Sequence, residues 1–156
     1  MNRTVRIPIV LLVLLFICMA SYIQARDHFS FSHINGNNGL SSGNVKTILQ
    51  DSRGLMWFGT KNGLNRYDGY YVKHLDCYDN QHHIGNNNIG ALYEDTQKNL
   101  WIGTDRGIYI FYPTTSTFQF VSSKTASGVS PDNWVQEICG DKRGNIWALL
   151  PDMGVF

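Results

Sequence analysis

The stretch Asp51-Ser52-Arg53-Gly54-Leu55-Met56-Trp57-Phe58-Gly59-Thr60 decides the fold. It reads as a tight turn, Asp-Ser-Arg-Gly, running into a strand that is apolar on both faces. Such a strand has to be covered on both sides. The stretch recurs as Asp95-Thr96-Gln97-Lys98-Asn99-Leu100-Trp101 and as Asp141-Lys142-Arg143-Gly144-Asn145-Ile146-Trp147, each time with Asp six residues ahead of Trp. The three tryptophans are 44 and 46 residues apart.

The repetition extends outward from this stretch. Upstream, Val45, Ile89 and Val135 share one register, and Ile48, Leu92 and Ile138 another. Downstream, Gly59-Thr60 matches Gly103-Thr104, and Gly63-Leu64 matches Gly107-Ile108. The third copy departs here, with Leu149-Leu150 for Gly-Thr and Gly154 one residue late. A period near 45 residues is that of one four-stranded propeller blade. The first copy predicts strands at 45–50, 55–60, 64–67 and 70–75, with Asp68-Gly69 as a hairpin signal. The second predicts 89–94, 100–104, 108–112 and 118–121. Trp is expected to fill the space between neighbouring sheets, and the Gly two residues later to permit close approach on that face. One blade cannot bury both faces alone, so isolated copies are expected to be unstable.

The expected fold is all-β: a partial β-propeller of about two and a half four-stranded blades, following an N-terminal signal-peptide helix. Blade-like repeats are placed at about 40–75, 84–121 and 130–156. His28-Phe29-Ser30-Phe31-Ser32-His33 has the same Phe-x-Phe pattern as Phe118-Gln119-Phe120, and 28–33 is therefore read as a closing strand. With the sequence ending at Phe156 inside the third copy, 26–156 reads as an incomplete propeller. Alone, it is expected to be poorly folded or self-associating through unpaired faces and edges.

Residues 1–25 read as a signal peptide. Arg3 and Arg6 form a short positive region, residues 7–20 are an apolar run, and Ile23-Gln24-Ala25 offers a cleavage site, with Cys18-Met19-Ala20 a second. The apolar run is shorter than the roughly 20 residues of a membrane span; a retained anchor is the alternative. A lipoprotein signal does not fit, because Ile17 stands before Cys18. Removal leaves 131 residues with 11 basic and 12 acidic side chains. Such a chain lacks the basic stripe of a nucleic-acid binder. With 13% aromatic and only 16% charged residues, the full 156-residue sequence is also not that of a disordered chain. Cys77 and Cys139 remain, and an oxidising compartment permits their pairing. Cys139, however, falls at an apolar strand position and reads as a buried free thiol.

Three segments carry a resemblance to a known family: Gly39-Leu40-Ser41-Ser42-Gly43-Asn44-Val45, then Gln50 through Thr60, then Asn62-Gly63-Leu64-Asn65-Arg66-Tyr67-Asp68-Gly69. Together they resemble the two-component regulator propeller repeat. The second copy departs by placing Lys98 at the turn glycine, and the third is weaker and cut short. The resemblance implies the periplasmic sensor region of a hybrid two-component system in the inner membrane of a Gram-negative bacterium. Such regions have two seven-bladed propellers and an immunoglobulin-like domain, ahead of a transmembrane helix, histidine kinase, receiver and AraC-type DNA-binding domain. It further implies an oligosaccharide ligand, a homodimeric parent, and partnership with the remaining blades and the membrane-kinase portion. No kinase residue lies within these 156 positions, no cofactor is implied, and this segment is not expected to touch nucleic acid.

Several constellations contain residue types that can carry chemistry. Gly39-Leu40-Ser41-Ser42-Gly43 matches the G-x-S-x-G pattern of serine hydrolases, but no helix follows it, so it reads as a loop. His82-His83 lacks a third ligand at metal spacing. Asp51, Asp95 and Asp141 lack the alternating oxygens of a calcium loop and read as Asx turns. Asn44, Asn88 and the offset Asn133 read as local backbone partners. The inter-blade loops 76–88 and 122–133 are long enough to carry binding, with Tyr78, His82, His83 and Trp134 as candidate contacts. No catalytic residue and no metal ligand is assigned, and the ligand-binding residues stay unknown. The rival functions are a secreted propeller enzyme of the streptogramin-lyase kind and a propeller sensor with a diguanylate cyclase output.

Overall fold

The repeat builds three antiparallel sheets. In a computed structural model, which describes residues 30–75, 88–121 and 133–156, the first sheet has strand order β1-β2-β3-β4: β1 (Val45–Gln50), β2 (Met56–Thr60), β3 (Gly63–Tyr67) and β4 (Val72–Leu75). The second is β5 (Ile89–Glu94), β6 (Leu100–Thr104), β7 (Gly107–Tyr112) and β8 (Thr117–Phe120). The third holds β9 (Glu137–Gly140), β10 (Ile146–Leu150) and β11 (Gly154–Val155). Each strand pairs with its neighbour in sequence, so every sheet is a meander, the topology of a propeller blade. The expected strands agree to within two residues at every end. The first pair of each four-stranded sheet carries the same irregularity, between Val45 and Thr47 and between Ile89 and Ala91.

The sheets stack face to face, β1 against β5 and β5 against β9. Between the first two lies a core of Trp57, Leu64, Ile89, Leu92, Leu100, Ile102, Tyr109 and Phe111. Between the second and third lie Ala91, Ile108, Val135, Ile138, Ala148 and Leu150. Period-two alternation explains the division. On β6, Leu100 and Ile102 face the first blade, while Trp101 is packed with the second core. Burying each Leu or Ile side chain is worth about 1.5–3 kcal/mol, and these contacts lie between sheets. That places the stability of each blade in its neighbours.

The glycine after the tryptophan sets the spacing. A Cβ on Gly59 would lie 2.5 Å from Thr47 Cγ2 and 2.6 Å from Ile89 Cγ2. On Gly103 it would lie 2.7 Å from Val135 Cγ1. Only a residue without a side chain lets the start of the following blade, Ile89 in β5 and Val135 just ahead of β9, approach this closely.

Two expectations are corrected, and a third, the closing strand, meets no partner strand among the described residues. Trp147 does not fill a space between sheets but is 45% exposed, against 1% for Trp57, because no described sheet covers its face. Cys139 is not buried. On β9, Ile138 takes the inward face and Cys139, opposite Trp147, takes the other. Of the proposed closing strand 28–33, residues 30–33 form no strand, and Phe31 is 94% exposed. Alternation supplies a face but not the hydrogen-bonded neighbour that makes a strand. Residues 28 and 29, the signal segment 1–25 and Cys77 lie outside the described residues.

Candidate functional site

The turn aspartates do more than close their turns. Asp51 Oδ1 accepts the backbone N–H of Arg53 (2.9 Å) and Leu55 (3.0 Å), which is the expected Asx geometry. Its Oδ2 accepts the indole N–H of Trp57 at 3.0 Å and pairs with the Arg53 guanidinium at 2.9 Å. Asp95 Oδ2 accepts Trp101 Nε1 at 2.9 Å and Asn99 Nδ2 at 3.1 Å. Asp141 repeats the pattern, with Asn145 Nδ2 at 2.7 Å and Trp147 Nε1 at 3.4 Å. A buried indole N–H needs an acceptor, and the spacing of six residues supplies one. Burial alone would raise the pKa of Asp51. The bonds from Trp57, Arg53 and the two backbone N–H groups outweigh it and hold the carboxyl below its ordinary 3.8. The bonds from the Asn145 side chain and backbone do the same for Asp141.

Ser41 is not a nucleophile elbow. Its N–H donates to Asn65 Oδ1 at 2.9 Å, and its hydroxyl accepts from Asn65 Nδ2 at 2.9 Å. The same hydroxyl meets Thr60 Oγ1 at 2.9 Å. Thr60 and Asn65 are fully buried. Ser41 therefore fastens the incoming segment onto β2 and β3. Thr60 and Thr104 also donate to the carbonyls of Gly63 and Gly107, bracing equivalent turns. This second use of the Gly-Thr pair is visible in the repeated sequence only once the bond is known.

Of the other candidates, Tyr78, His82 and His83 lie outside the described residues. Trp134 is 48% exposed. Asn44 and Asn88 act through backbone carbonyls that accept from Lys61 and Asp105, and Asn133 donates its side-chain amide to Met153 Sδ. Among the described residues, no three His, Cys, Asp or Glu side chains converge as a metal site. Tyr70 and Tyr71 are exposed by 87% and 79%. Their backbone N–H groups are held by Asp68 Oδ1.

The two blade junctions differ at one end. At the first, Glu94 bridges the sheets by accepting the N–H of Ser52 (2.8 Å) and its hydroxyl (3.0 Å). At the second, the matching positions are Thr96 and Gly140. Here a crevice of about 100 Å³ opens, lined by Tyr93, Asp95, Thr96, Gln97, Trp101, Gly144 and Ile146.

The model of the two component regulator propeller family matches residues 39–62 and 83–106. The chain is 39% identical over 62 residues to Histidine kinase P4 of Formosa agariphila, covering 39% of this chain and 4% of that protein. It is similar to the extracellular domain of the hybrid two component system BT3049 from B. thetaiotaomicron. That match has a TM-score of 0.68 and 25% identity, over 80% of this chain and 18% of that one. The extracellular domain of BT4673 from the same organism gives 0.66 and 27%, over 84% and 19%. The chain thus spans under a fifth of these structures. Among the described residues, no helix is long and apolar enough to cross a membrane. Residues 39–62 and 83–106 thus match the two-component regulator propeller repeat, and each match runs through the first two strands of a four-stranded sheet.

Proposed function

We propose that this chain is the extracytoplasmic sensor segment of a hybrid two-component regulator: exported, periplasmic, binding an oligosaccharide, and coupled in a homodimeric parent to a histidine kinase that controls transcription. The observation that carries the reading is the pair of matched repeats, stacked as blades like those of extracellular domains of hybrid two-component systems. The junction geometry suits a relay. Gly59 and Gly103 bring successive blades into close contact, so a ligand that shifts one blade displaces the next rather than deforming it.

The test is autophosphorylation of the full-length protein in native membranes. Oligosaccharides released from polysaccharides are expected to change phosphate incorporation, whereas the corresponding monosaccharides do not. Unchanged incorporation across a broad oligosaccharide panel would overturn the reading. An alkaline phosphatase fusion after residue 156 tests location separately, with activity expected only if the segment is exported.

A further inference from the structure

We infer that the crevice between the second and third blades is a receptor for a small carboxylate carried on a six-membered ring. The two junctions alone carry this inference, independently of the sensor reading. At the first junction the protein displays what its turn recognises: the N–H and hydroxyl of Ser52 grip both oxygens of the Glu94 carboxylate. Charge-assisted bonds of this kind are about twice as strong as neutral ones. The second junction repeats the donors without the acceptor. Thr96 preserves the N–H and the hydroxyl, and Gly140 stands where Glu94 stood. Among the described residues, neither donor of Thr96 has a hydrogen-bond partner, and Thr96 lines the crevice.

The volume vacated by the glutamate is only partly refilled. Leu49 of the first junction is replaced by Tyr93, whose hydroxyl lies where a Cβ on Gly140 would project. Tyr93 takes up space next to Gly140 and forms no bond to Thr96, which is exposed at the crevice wall. The walls specify what the carboxylate is attached to. Tyr93, Trp101 and Ile146 give apolar and aromatic surface. The indole N–H of Trp101 is committed to Asp95, leaving its ring for contact. Cavities of roughly 150 Å³ admit a benzene ring. A crevice of about 100 Å³ takes a carboxylate and one edge of a ring and does not enclose a second one.

Asp95 lies nearby, but its oxygens are bound to Asn99 and Trp101. Asp51 has the same place beside Glu94, so a carboxylate is tolerated there. Arg53, which pairs with Asp51, is matched by the neutral Gln97. The cations available on the bordering turns are Lys98, Lys142 and Arg143. The shared chemistry is a ring acid, from either a sugar acid or an aromatic acid.

The experiment is saturation-transfer difference NMR on the full chain with glucuronate, benzoate and their neutral counterparts glucose and benzyl alcohol. Two variants control the site. Tyr93→Leu with Gly140→Glu rebuilds the first junction and fills the receptor with its own carboxylate. Thr96→Pro removes both donors at the second position of the Asp95–Lys98 turn, closed by Lys98 N–H to Asp95 C=O, where proline is well tolerated. At least one acid is expected to bind saturably and its neutral counterpart not, with binding at least about tenfold weaker in both variants. Whichever acid binds identifies the source. Absence of binding by both acids, equal binding of the neutral rings, or binding unchanged in both variants would overturn the inference. Autophosphorylation by neutral oligosaccharides is indifferent to any of these outcomes.

Discussion

The indole N–H of Trp57 donates to the carboxylate of Asp51 at 3.0 Å, and both side chains are buried. This bond explains the most regular feature of the sequence. The aspartate closes a turn through one oxygen and anchors, through the other, the aromatic ring on which the next blade packs. The local turn and the inter-blade core are thus fixed by one residue.

Asp51→Ala is expected to destabilise the full chain by about 2–4 kcal/mol, because it leaves the Trp57 and Leu55 N–H groups without their acceptor. Asp51→Asn keeps an acceptor oxygen and is expected to cost less. Urea unfolding with an unchanged m-value measures both. Equal stability of wild type and Asp51→Ala would remove the anchoring role.

The same carboxyl makes stability depend on acid. Its pKa is held below the ordinary 3.8 in the folded state, so the unfolded chain binds the proton more readily. The contribution is complete above the ordinary carboxylate range and is lost as pH falls through 3.8 toward the folded value. The acid limb of the stability curve is expected to be shallower in Asp51→Asn. An unchanged limb would assign the acid sensitivity to other groups.

Gly103→Ala is expected to cost about 1–3 kcal/mol, since its methyl group would press on Val135 and Ala91. Combining it with Val135→Ala is expected to cost less than the sum of the two single changes, by at least about 0.5 kcal/mol in a double-mutant cycle. Simple additivity would mean that the two blades are not in contact at this point.

Lys98 adopts φ 69°, while Gly54 and Gly144 at the matching turn positions have φ 86°. A non-glycine residue in this region carries a strain of about 1 kcal/mol or more. Lys98→Gly is expected to raise the melting temperature and Gly54→Ala to lower it, although open space surrounds Gly54. A fall in melting temperature for Lys98→Gly would show that the lysine side chain makes a stabilising contact larger than the strain.

Asn65→Leu removes a buried amide that holds Ser41 from both sides. The expected loss is about 2–3 kcal/mol, with faster hydrogen exchange at the Ser41 amide than elsewhere in the first blade. Uniform acceleration across the blade would make Asn65 a general packing residue rather than a fastener of the loop.

Much of this architecture was legible in the sequence because it is periodic or local. Alternation gives the strands, Asp and Gly give the turns, and recurrence of Trp at 44 and 46 residues gives the blades. Close approach at Gly59 and Gly103 also follows, since a glycine facing a neighbouring sheet has little other reason to recur. The candidate site was barely legible. Ser41 looks like part of a hydrolase motif until its partners Asn65 and Thr60 are seen, and these come from other strands.

By itself, then, the sequence determined the blade, its strand order and its aspartate turns, because these depend on residues close together along the chain. Tertiary structure alone decided which copies of a repeated residue are buried. Trp57 and Trp147 occupy one register, yet one is covered by a sheet and the other is half exposed. It also decided that Glu94 closes one junction while Gly140 leaves the next open. Both outcomes arise between blades, where partners about 40 residues apart meet, and no pattern within one repeat records them.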